Sequence, residues 1–146
     1  MMAQEPTLPS ITLDAVFVGQ ELGVLEHLFS IEDVVDYASE VADSSSWFHP
    51  HDNLSVRLHP AMLSTVSLRL LRLNFEASAV ILAEQEETYF QSAWTGHRLT
   101  TRGKITGKGQ RRGRDFVEIK TSTCDEDGRE LVRRLTTLYL TVERSG

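Results

Sequence analysis

The chain has only one cysteine, Cys124, so no disulfide can form within it. Cys124 lies in a segment where apolar and polar residues alternate, and there a packed small side chain is the expected role rather than a nucleophile. Cysteines and histidines with the spacing of a metal site are also missing. The sequence therefore predicts no metal site and no stapled scaffold, and it fits a reducing cytoplasm.

Long hydrophobic runs are missing as well, because Arg or Glu interrupts each apolar stretch well before membrane-spanning length. The first residues, MMAQEPTLPSITLD, contain no basic segment followed by an apolar block, as a secretory signal would. Basic residues are in the minority, and the net charge of −6 argues against nucleic acid as a general partner. We therefore expect a soluble cytoplasmic protein that contacts neither membrane nor nucleic acid.

The residues that are present indicate one globular domain. A chain of 146 residues buries roughly two-thirds of its unfolded surface. Its 40% hydrophobic and 25% charged residues are ordinary values for a globular protein. We interpret residues 1–14 as a loose N-terminal arm and residues 15–146 as a single domain.

Two helices are predicted in the first half of the chain. Ser30 followed by Asp33 forms a variant of the capping box, and apolar residues then recur at helical spacing for about three turns. A short strand at residues 23–29 precedes this helix. The stretch PAMLSTVSLRLLRLNF begins with Pro60, which suits a helix N-terminus, and is apolar on almost every side. We therefore predict one long buried helix there.

From Val80 onward the sequence changes to residues that favour strands. The turn signals TGH, GKGQRRG and DEDG divide it into four strands, near residues 84–90, 98–106, 114–123 and 130–142. Asp127-Gly128 is typical of a hairpin, so the sheet is predicted to be largely antiparallel, with the strand at residues 23–29 added. One buried helix wrapped by an antiparallel sheet is the α+β arrangement called the hot-dog fold.

The order of these segments resembles the MaoC-like dehydratase family, in particular the branch related to the N-terminal half of fungal fatty-acid-synthase dehydratase domains. FSIEDVVDYASEVAD is followed by a loop rich in acids and bases, by LHPAMLSTVSLRLL and by the strands from TGHRLTT to TLYL, roughly residues 14–142. The resemblance implies an (R)-specific enoyl-thioester hydratase or 3-hydroxyacyl-thioester dehydratase. It also implies substrates carried by coenzyme A or acyl carrier protein, no cofactor, and a homodimer or a heterodimer with another hot-dog subunit.

The loop VADSSSWFHPHDN carries the acid and base groups that this chemistry needs. Adding water to an α,β-unsaturated thioester requires a base that activates the water and an acid that protonates the α-carbon. In the family, an Asp is followed five positions later by a His, usually with Asn-Pro between them. Asp43 stands at the Asp position, but Phe48 stands five positions later. A one-residue insertion would bring His49 into the catalytic position.

This departure leaves alternatives open. With Asp43 and His49 as the catalytic pair, the chain is an enzyme. With Phe48 at the histidine position, it is a catalytically degenerate subunit that binds acyl thioester and pairs with an active partner, and a hot-dog thioesterase is a third hypothesis. Alternatively, Asp43 caps the loop through backbone hydrogen bonds, and the histidines lie in a solvent-facing turn. The candidate pocket residues are Trp47, Phe48, His51 and His59.

The stretch LHPAML stands where the family has His-Gly-Met-Leu, whose glycine amide binds the enolate oxygen. In the register that keeps Met62 and Leu63, Ala61 takes the glycine position, and its backbone N–H is the predicted oxyanion donor. In the other register Pro60 takes that position and has no N–H to donate. His59 is a candidate pocket residue, although a packed or capping histidine is the simpler interpretation.

The stretch GKITGKGQRRGRD concentrates basic residues in an otherwise acidic protein. Arg111, Arg112 and Arg114 are candidates for binding the phosphates of coenzyme A or the acidic face of a carrier protein. The alternative is a solvated hairpin, since charge in a turn also favours solubility.

Overall fold

The computed structural model of the chain describes residues 7–42, 55–77 and 79–141. It contains two α-helices, a 3₁₀ turn before the second helix and five strands. The helices are α1 (Ile31–Glu40) and α2 (Val66–Asn74), the 3₁₀ turn is Pro60–Leu63, and the strands are β1 (Glu21–Leu28), β2 (Val80–Tyr89), β3 (Arg98–Arg111), β4 (Arg114–Cys124) and β5 (Glu130–Leu140). Neither described helix has the length and apolar character needed to cross a membrane.

The five strands form one antiparallel sheet in the order β1-β3-β4-β5-β2. The predicted antiparallel sheet is confirmed, including the N-terminal strand, which pairs with β3 at one edge. The predicted hairpin between β4 and β5 is also present. In its turn the carboxylate of Asp125 accepts the backbone N–H groups of Asp127 and Arg129 at 2.9 Å each, and Gly128 adopts φ +80°. Such a positive φ favours glycine, as the sequence pattern requires.

The capping box of α1 forms as predicted. Ser30 Oγ accepts the backbone N–H of Asp33 at 3.1 Å, and the Asp33 carboxylate accepts the N–H of Ser30 at 2.9 Å. These two bonds satisfy donors that the first helical turn leaves without partners. The apolar side of α1 buries Val34 and Ala38 in a small hydrophobic cluster that also contains residues of the 3₁₀ turn and of β5.

Helix α2 packs against the inner face of the sheet and forms the centre of the main core. Leu70 and Leu71 are fully buried among apolar residues of β3, β4 and β5. The close approach depends on Gly103 in β3, because a Cβ atom there would lie 2.8 Å from Leu70 Cδ1. A residue without a side chain thus sets the distance between the helix and the sheet.

The second helix differs from its prediction in length and in burial. The predicted continuous helix is divided, because Pro60–Leu63 forms a 3₁₀ turn and α2 begins only at Val66. One side of α2 is exposed, including Arg69, Arg72 and Leu73. The physical reason is that the sheet covers only one side of the helix, while the two guanidinium groups keep their hydration.

The described part of the N-terminal arm is attached to the domain. Glu76 N–H donates to the carbonyl of Pro9 at 2.8 Å, and Ile11 N–H donates to the carbonyl of Glu76 at 3.1 Å. Ile11 and Leu13 are partly buried against the main core. These residues therefore cover the end of α2 instead of extending into solvent.

Candidate active site

A cavity of about 340 Å³ lies beside the 3₁₀ turn, at the end of the sheet where β2 ends and β5 begins. Three parts of the chain line it: residues 57–63, residues 89–93 and the first residues of β5. Its described lining includes two arginines, one histidine and several apolar side chains, and no carboxylate. This volume is at the small end for ligand pockets, so the cavity suits a short acyl group.

A short pairing of two connecting segments builds one wall of the cavity. Leu58 N–H donates to the carbonyl of Ala93 at 2.8 Å, and Thr95 N–H donates to the carbonyl of Val56 at 2.9 Å. The guanidinium of Arg57 stands over the ring of Trp94, 5.3 Å from its centroid. These contacts fix the chain shortly after residues 43–54, the segment that contains Asp43 and His49.

His59 and Ala61 meet at the start of the 3₁₀ turn. His59 Nδ1 accepts the backbone N–H of Ala61 at 3.2 Å, so the histidine is the N-cap of this turn. Its ring also packs against Tyr37 of α1, with centroids 5.1 Å apart, and it lines the cavity. The predicted oxyanion donor is therefore already engaged in this conformation. Ala61 can donate to a substrate oxygen only if His59 turns away.

Strands β2 and β5 contribute a partly buried polar group that the sequence analysis missed. Glu87 and Arg134 are direct cross-strand partners, and Arg134 Nε donates to Glu87 Oε1 at 3.1 Å. Gln85 Nε2 donates to the same oxygen at 2.8 Å, and the Tyr89 hydroxyl donates to Glu87 Oε2. Thr136 Oγ1 in turn donates to Gln85 Oε1 at 3.0 Å, so the group is cross-linked on both strands.

The protonation states of this group follow from its contacts. Burial acts to raise the pKa of Glu87, but the hydrogen bonds from Tyr89, Arg134 and Gln85 and the charge of Arg134 together hold that pKa below its usual value. Burial and the neighbouring Glu87 carboxylate raise the pKa of the Tyr89 hydroxyl. The arrangement therefore keeps Glu87 ionised and Tyr89 protonated at neutral pH.

Arg134 is completely shielded from solvent and also lines the cavity. Its Nη1 and Nη2 atoms have no hydrogen-bond partner in the part of the chain that the structure describes. A signal for this residue exists in the sequence, because strands alternate faces. Leu138 and Leu140 lie in the core, and counting back from them by twos reaches Arg134.

A second buried titratable side chain, His27, belongs to β1 at the edge of the same sheet. Its Nε2 is 3.0 Å from Thr101 Oγ1, which is 2.7 Å from Thr123 Oγ1, and its ring stacks on Phe29. Burial, and then the positive charges of Arg69 and Arg134, lower the pKa of His27. This histidine is therefore neutral at pH 7.

Five of the predicted site residues lie outside the described residues: Asp43, Trp47, Phe48, His49 and His51. The structure describes the residues on either side of their segment. Before it, α1 packs in the same small cluster as Leu58 and Leu63. After it the chain is described from Ser55 onward, and Arg57 and Leu58 line the cavity.

The predicted phosphate-binding arginines lie at the opposite end of the sheet. Arg112 and Gly113 form the two-residue turn between β3 and β4, with φ +55° and +77°. The guanidinium of Arg111 stands over Phe116 at 4.9 Å, and that of Arg114 stands over Tyr139 at 5.7 Å. Because Asp115 pairs with Leu140, six residues beyond Arg134 in β5, this turn is about 20 Å from the cavity within one chain.

No protein-family model and no curated protein sequence matches this chain. Solved structures do match it. The MaoC-like dehydratase from Rhodospirillum rubrum is 15% identical, with a TM-score of 0.73 over 90% of this chain and 97% of the dehydratase. The chain has the hot-dog fold of these proteins. The (R)-hydratase from A. caviae involved in PHA biosynthesis is 17% identical, with a TM-score of 0.69 over 86% of this chain and 98% of the hydratase.

A third hot-dog match is the HadBC (3R-hydroxyacyl-ACP dehydratase) complex from Mycobacterium tuberculosis. It is 15% identical, with a TM-score of 0.66 over 82% of this chain and 96% of the matched chain. At such identities the hot-dog fold is shared, while function has to be argued from the residues of the site.

Proposed function

We propose that this hot-dog protein is a hydratase or dehydratase of enoyl and 3-hydroxyacyl thioesters. The observation that supports this best is the position of the cavity, since two residues that line it, Arg57 and Leu58, follow the segment with Asp43 and His49 closely in the chain. The proposal is that the acid and base side chains of this segment reach the small, largely apolar cavity. Proteins named as hydratases and dehydratases share the fold.

In the proposed reaction Asp43 and His49 divide the two proton transfers. One of them takes a proton from water as the water oxygen bonds to the β-carbon, and the other gives a proton to the α-carbon. Negative charge develops on the thioester oxygen meanwhile, and the Ala61 N–H stabilises it once His59 has turned away. Water addition requires only proton transfers, so no cofactor is proposed.

We further propose that the protein works as a dimer of hot-dog subunits. In one chain the hairpin of Arg111, Arg112 and Arg114 is about 20 Å from the cavity, so these residues can hold the phosphates of a substrate only if they belong to a second subunit or if the carrier extends along the sheet. A homodimer, a heterodimer and a complex with acyl carrier protein each fit this proposal.

One observation favours a second candidate function, a non-catalytic subunit that binds acyl thioester. The Ala61 N–H, which the hydratase needs for the thioester oxygen, is hydrogen-bonded to His59 Nδ1. A subunit that only forms part of the pocket has no use for this donor and can leave it capped. In that case an active hot-dog partner supplies the Asp/His pair.

The test is hydration of crotonyl-coenzyme A and of a longer enoyl thioester by the purified protein, followed by the absorbance of the conjugated double bond. We expect Asp43→Asn and His49→Ala to reduce turnover by about 10²–10⁴-fold. His51→Ala is the matched control and should have a small effect. Equal activity in all three variants would refute the catalytic pair.

Two other results would support a different function for the protein. Binding of the thioester without hydration would support the non-catalytic subunit. Release of free thiol, measured with a thiol reagent, would instead identify a thioesterase.

A further inference from the structure

The guanidinium of Arg134 uses one of its five N–H donors. Nε is bonded to Glu87, while Nη1 and Nη2 have no partner among the described residues, although the side chain is 0% exposed. A buried charged donor without a partner is strongly unfavourable, and native proteins keep one where a ligand or an ordered water completes it. The free donors of Arg134 therefore indicate a binding position for an acceptor group.

The contacts around Arg134 determine which of its nitrogens remain for a ligand. The Glu87 carboxylate already accepts from Gln85 Nε2 and from the Tyr89 hydroxyl, so it has little capacity left for the terminal nitrogens. The Tyr89 ring lies beside the guanidinium, with its centroid 6.0 Å from Cζ. With Nε held, Nη1 and Nη2 remain as a planar fork, which matches the two oxygens of a carboxylate.

The charge of the cavity favours an anion. Its described lining contains Arg57, Arg134 and His59 and no acidic side chain, in a protein whose net charge is −6. The two guanidinium groups are the charged side chains of this lining, and they favour an anionic ligand over a cationic one.

The depth of Arg134 indicates which part of an acyl ligand it contacts. Tyr89 and Phe90 are each 47% exposed, whereas Arg134, which lines the same cavity, is fully shielded from solvent. The proposed reacting groups, Asp43 and His49, lie outside the described residues, in the segment that precedes Arg57 in the chain. If the thioester is held near Arg57, the far end of its acyl group can extend across the cavity to Arg134.

We propose that Arg134 binds a carboxylate at the far end of the acyl group, so that the substrates are thioesters of short dicarboxylic acids. The thioester part of this inference rests on the function proposed above, whereas the carboxylate site does not. A ligand carboxylate would give Nη1 and Nη2 the acceptors that no described residue supplies, through two charge-assisted hydrogen bonds.

The binding test uses two esters that differ by one charge. Monomethyl glutarate carries an ester at one end and a carboxylate at the other, and dimethyl glutarate is its neutral counterpart. In calorimetric titrations we expect the monoester to bind wild-type protein at least tenfold more tightly than the diester. Arg134→Gln should remove this difference. Arg133→Gln is the matched control, because Arg133 precedes it on the opposite, exposed face and pairs with Glu130.

A second variant protects the test against loss of folding. Arg134→Gln leaves Glu87 without its cation, whereas the double variant Glu87→Gln/Arg134→Met removes both charges and is expected to fold. Circular dichroism checks the fold of the double variant, which should also bind the two esters with equal affinity. Equal binding by wild type, no measurable monoester binding at millimolar concentration, or retained discrimination in the folded double variant would overturn the proposal.

An activity measurement separates this inference from the proposed function. Glutaconyl-coenzyme A is crotonyl-coenzyme A with a carboxylate at the far end, and we expect its kcat/KM to exceed that of the crotonyl thioester at least tenfold, with the preference lost in Arg134→Gln. Arg134-dependent ester binding without hydration of either thioester would leave the carboxylate site standing and reject the hydratase. Hydration of both thioesters at equal rates would reject the carboxylate site alone.

Discussion

Replacing Gly103 by alanine tests how closely α2 is packed on the sheet. The new Cβ would lie 2.8 Å from Leu70 Cδ1, 3.0 Å from Thr121 Cγ2 and 3.4 Å from the carbonyl oxygen of Lys120. Leu70 and Thr121 are both buried, so neither can move without displacing other core atoms. We expect Gly103→Ala to lower the free energy of unfolding by about 1–3 kcal/mol, the usual range for overpacking.

Gly107, on the same strand, provides the matched control. The nearest atom to a Cβ built there is Glu118 Cβ at 3.5 Å, an ordinary contact. Gly107→Ala should therefore be neutral or stabilise the protein by about 0.4–1 kcal/mol, because alanine reduces the entropy of the unfolded chain. Comparing the two variants separates the effect of the contact with α2 from the general effect of losing a glycine.

A double-mutant cycle tests whether the Leu70 side chain is the group that clashes with the new methyl group in Gly103→Ala. Leu70→Ala alone should cost about 2–5 kcal/mol through the cavity it leaves. In the Gly103→Ala protein it should cost less, by a coupling energy of about 0.5–3 kcal/mol, because the clash disappears and the new methyl group fills part of the space. Urea unfolding followed by circular dichroism measures all four proteins, with the m-value checked for constancy. Additive effects, or a Gly103→Ala protein as stable as Gly107→Ala, would refute this account of the packing.

Three further predictions concern pH, helix capping and the buried ion pair. Folding lowers the pKa of His27 from 6.5, so at acidic pH the unfolded chain binds one proton more than the folded protein. The free energy of unfolding should therefore fall as the pH drops below about 6.5, by at most about 1.4 kcal/mol per pH unit. Urea unfolding from pH 8 to 5 should show this slope reduced in His27→Gln but retained in the exposed control His97→Gln. Ser30→Ala should cost about 1 kcal/mol in the same assay through loss of the capping box. Arg134→Met should cost about 1–3 kcal/mol, because it leaves the partly buried Glu87 carboxylate without its cation. Adding Glu87→Gln should restore most of this loss, and equal stability of the single and double variants would contradict the ion-pair argument.

Elements with strong local signals were predictable from the sequence. The Ser30 and Asp33 side chains cap α1 through contacts three residues apart, and Asp127-Gly128 closes a hairpin by its own backbone preference. Helix α2 was predicted only in part. Because few of its residues are polar, the sequence favoured a helix buried on all sides. Arg69 and Arg72 are three residues apart, however, and mark one exposed side. The 3₁₀ turn before it has no local signal beyond Pro60.

The buried ion pair could not be predicted from local pattern alone. Arg133 and Arg134 are adjacent and chemically identical, and only the alternation of β5 places the second one inside. Its partner Glu87 is 47 residues away and meets it because β2 pairs with β5 in one particular register. A one-residue shift of that register would turn the carboxylate to the other face.

The two groups proposed to bind negative charge in this cavity, the Ala61 N–H and the Arg134 guanidinium, also differ in how readily they can be predicted from the sequence. A backbone amide at the start of a helix can be found from a motif, and here the Ala61 N–H is already bonded to His59 Nδ1. A guanidinium binds anions strongly when it is shielded from solvent. Here that shielding depends on three segments that are distant in the sequence and enclose the cavity. Within the part of the chain that the structure describes, the donors without a partner are therefore on Arg134, whereas the amide of the motif is already bonded. For this reason ester discrimination is the more direct first experiment on the cavity, because it requires neither Asp43 nor His49 to act.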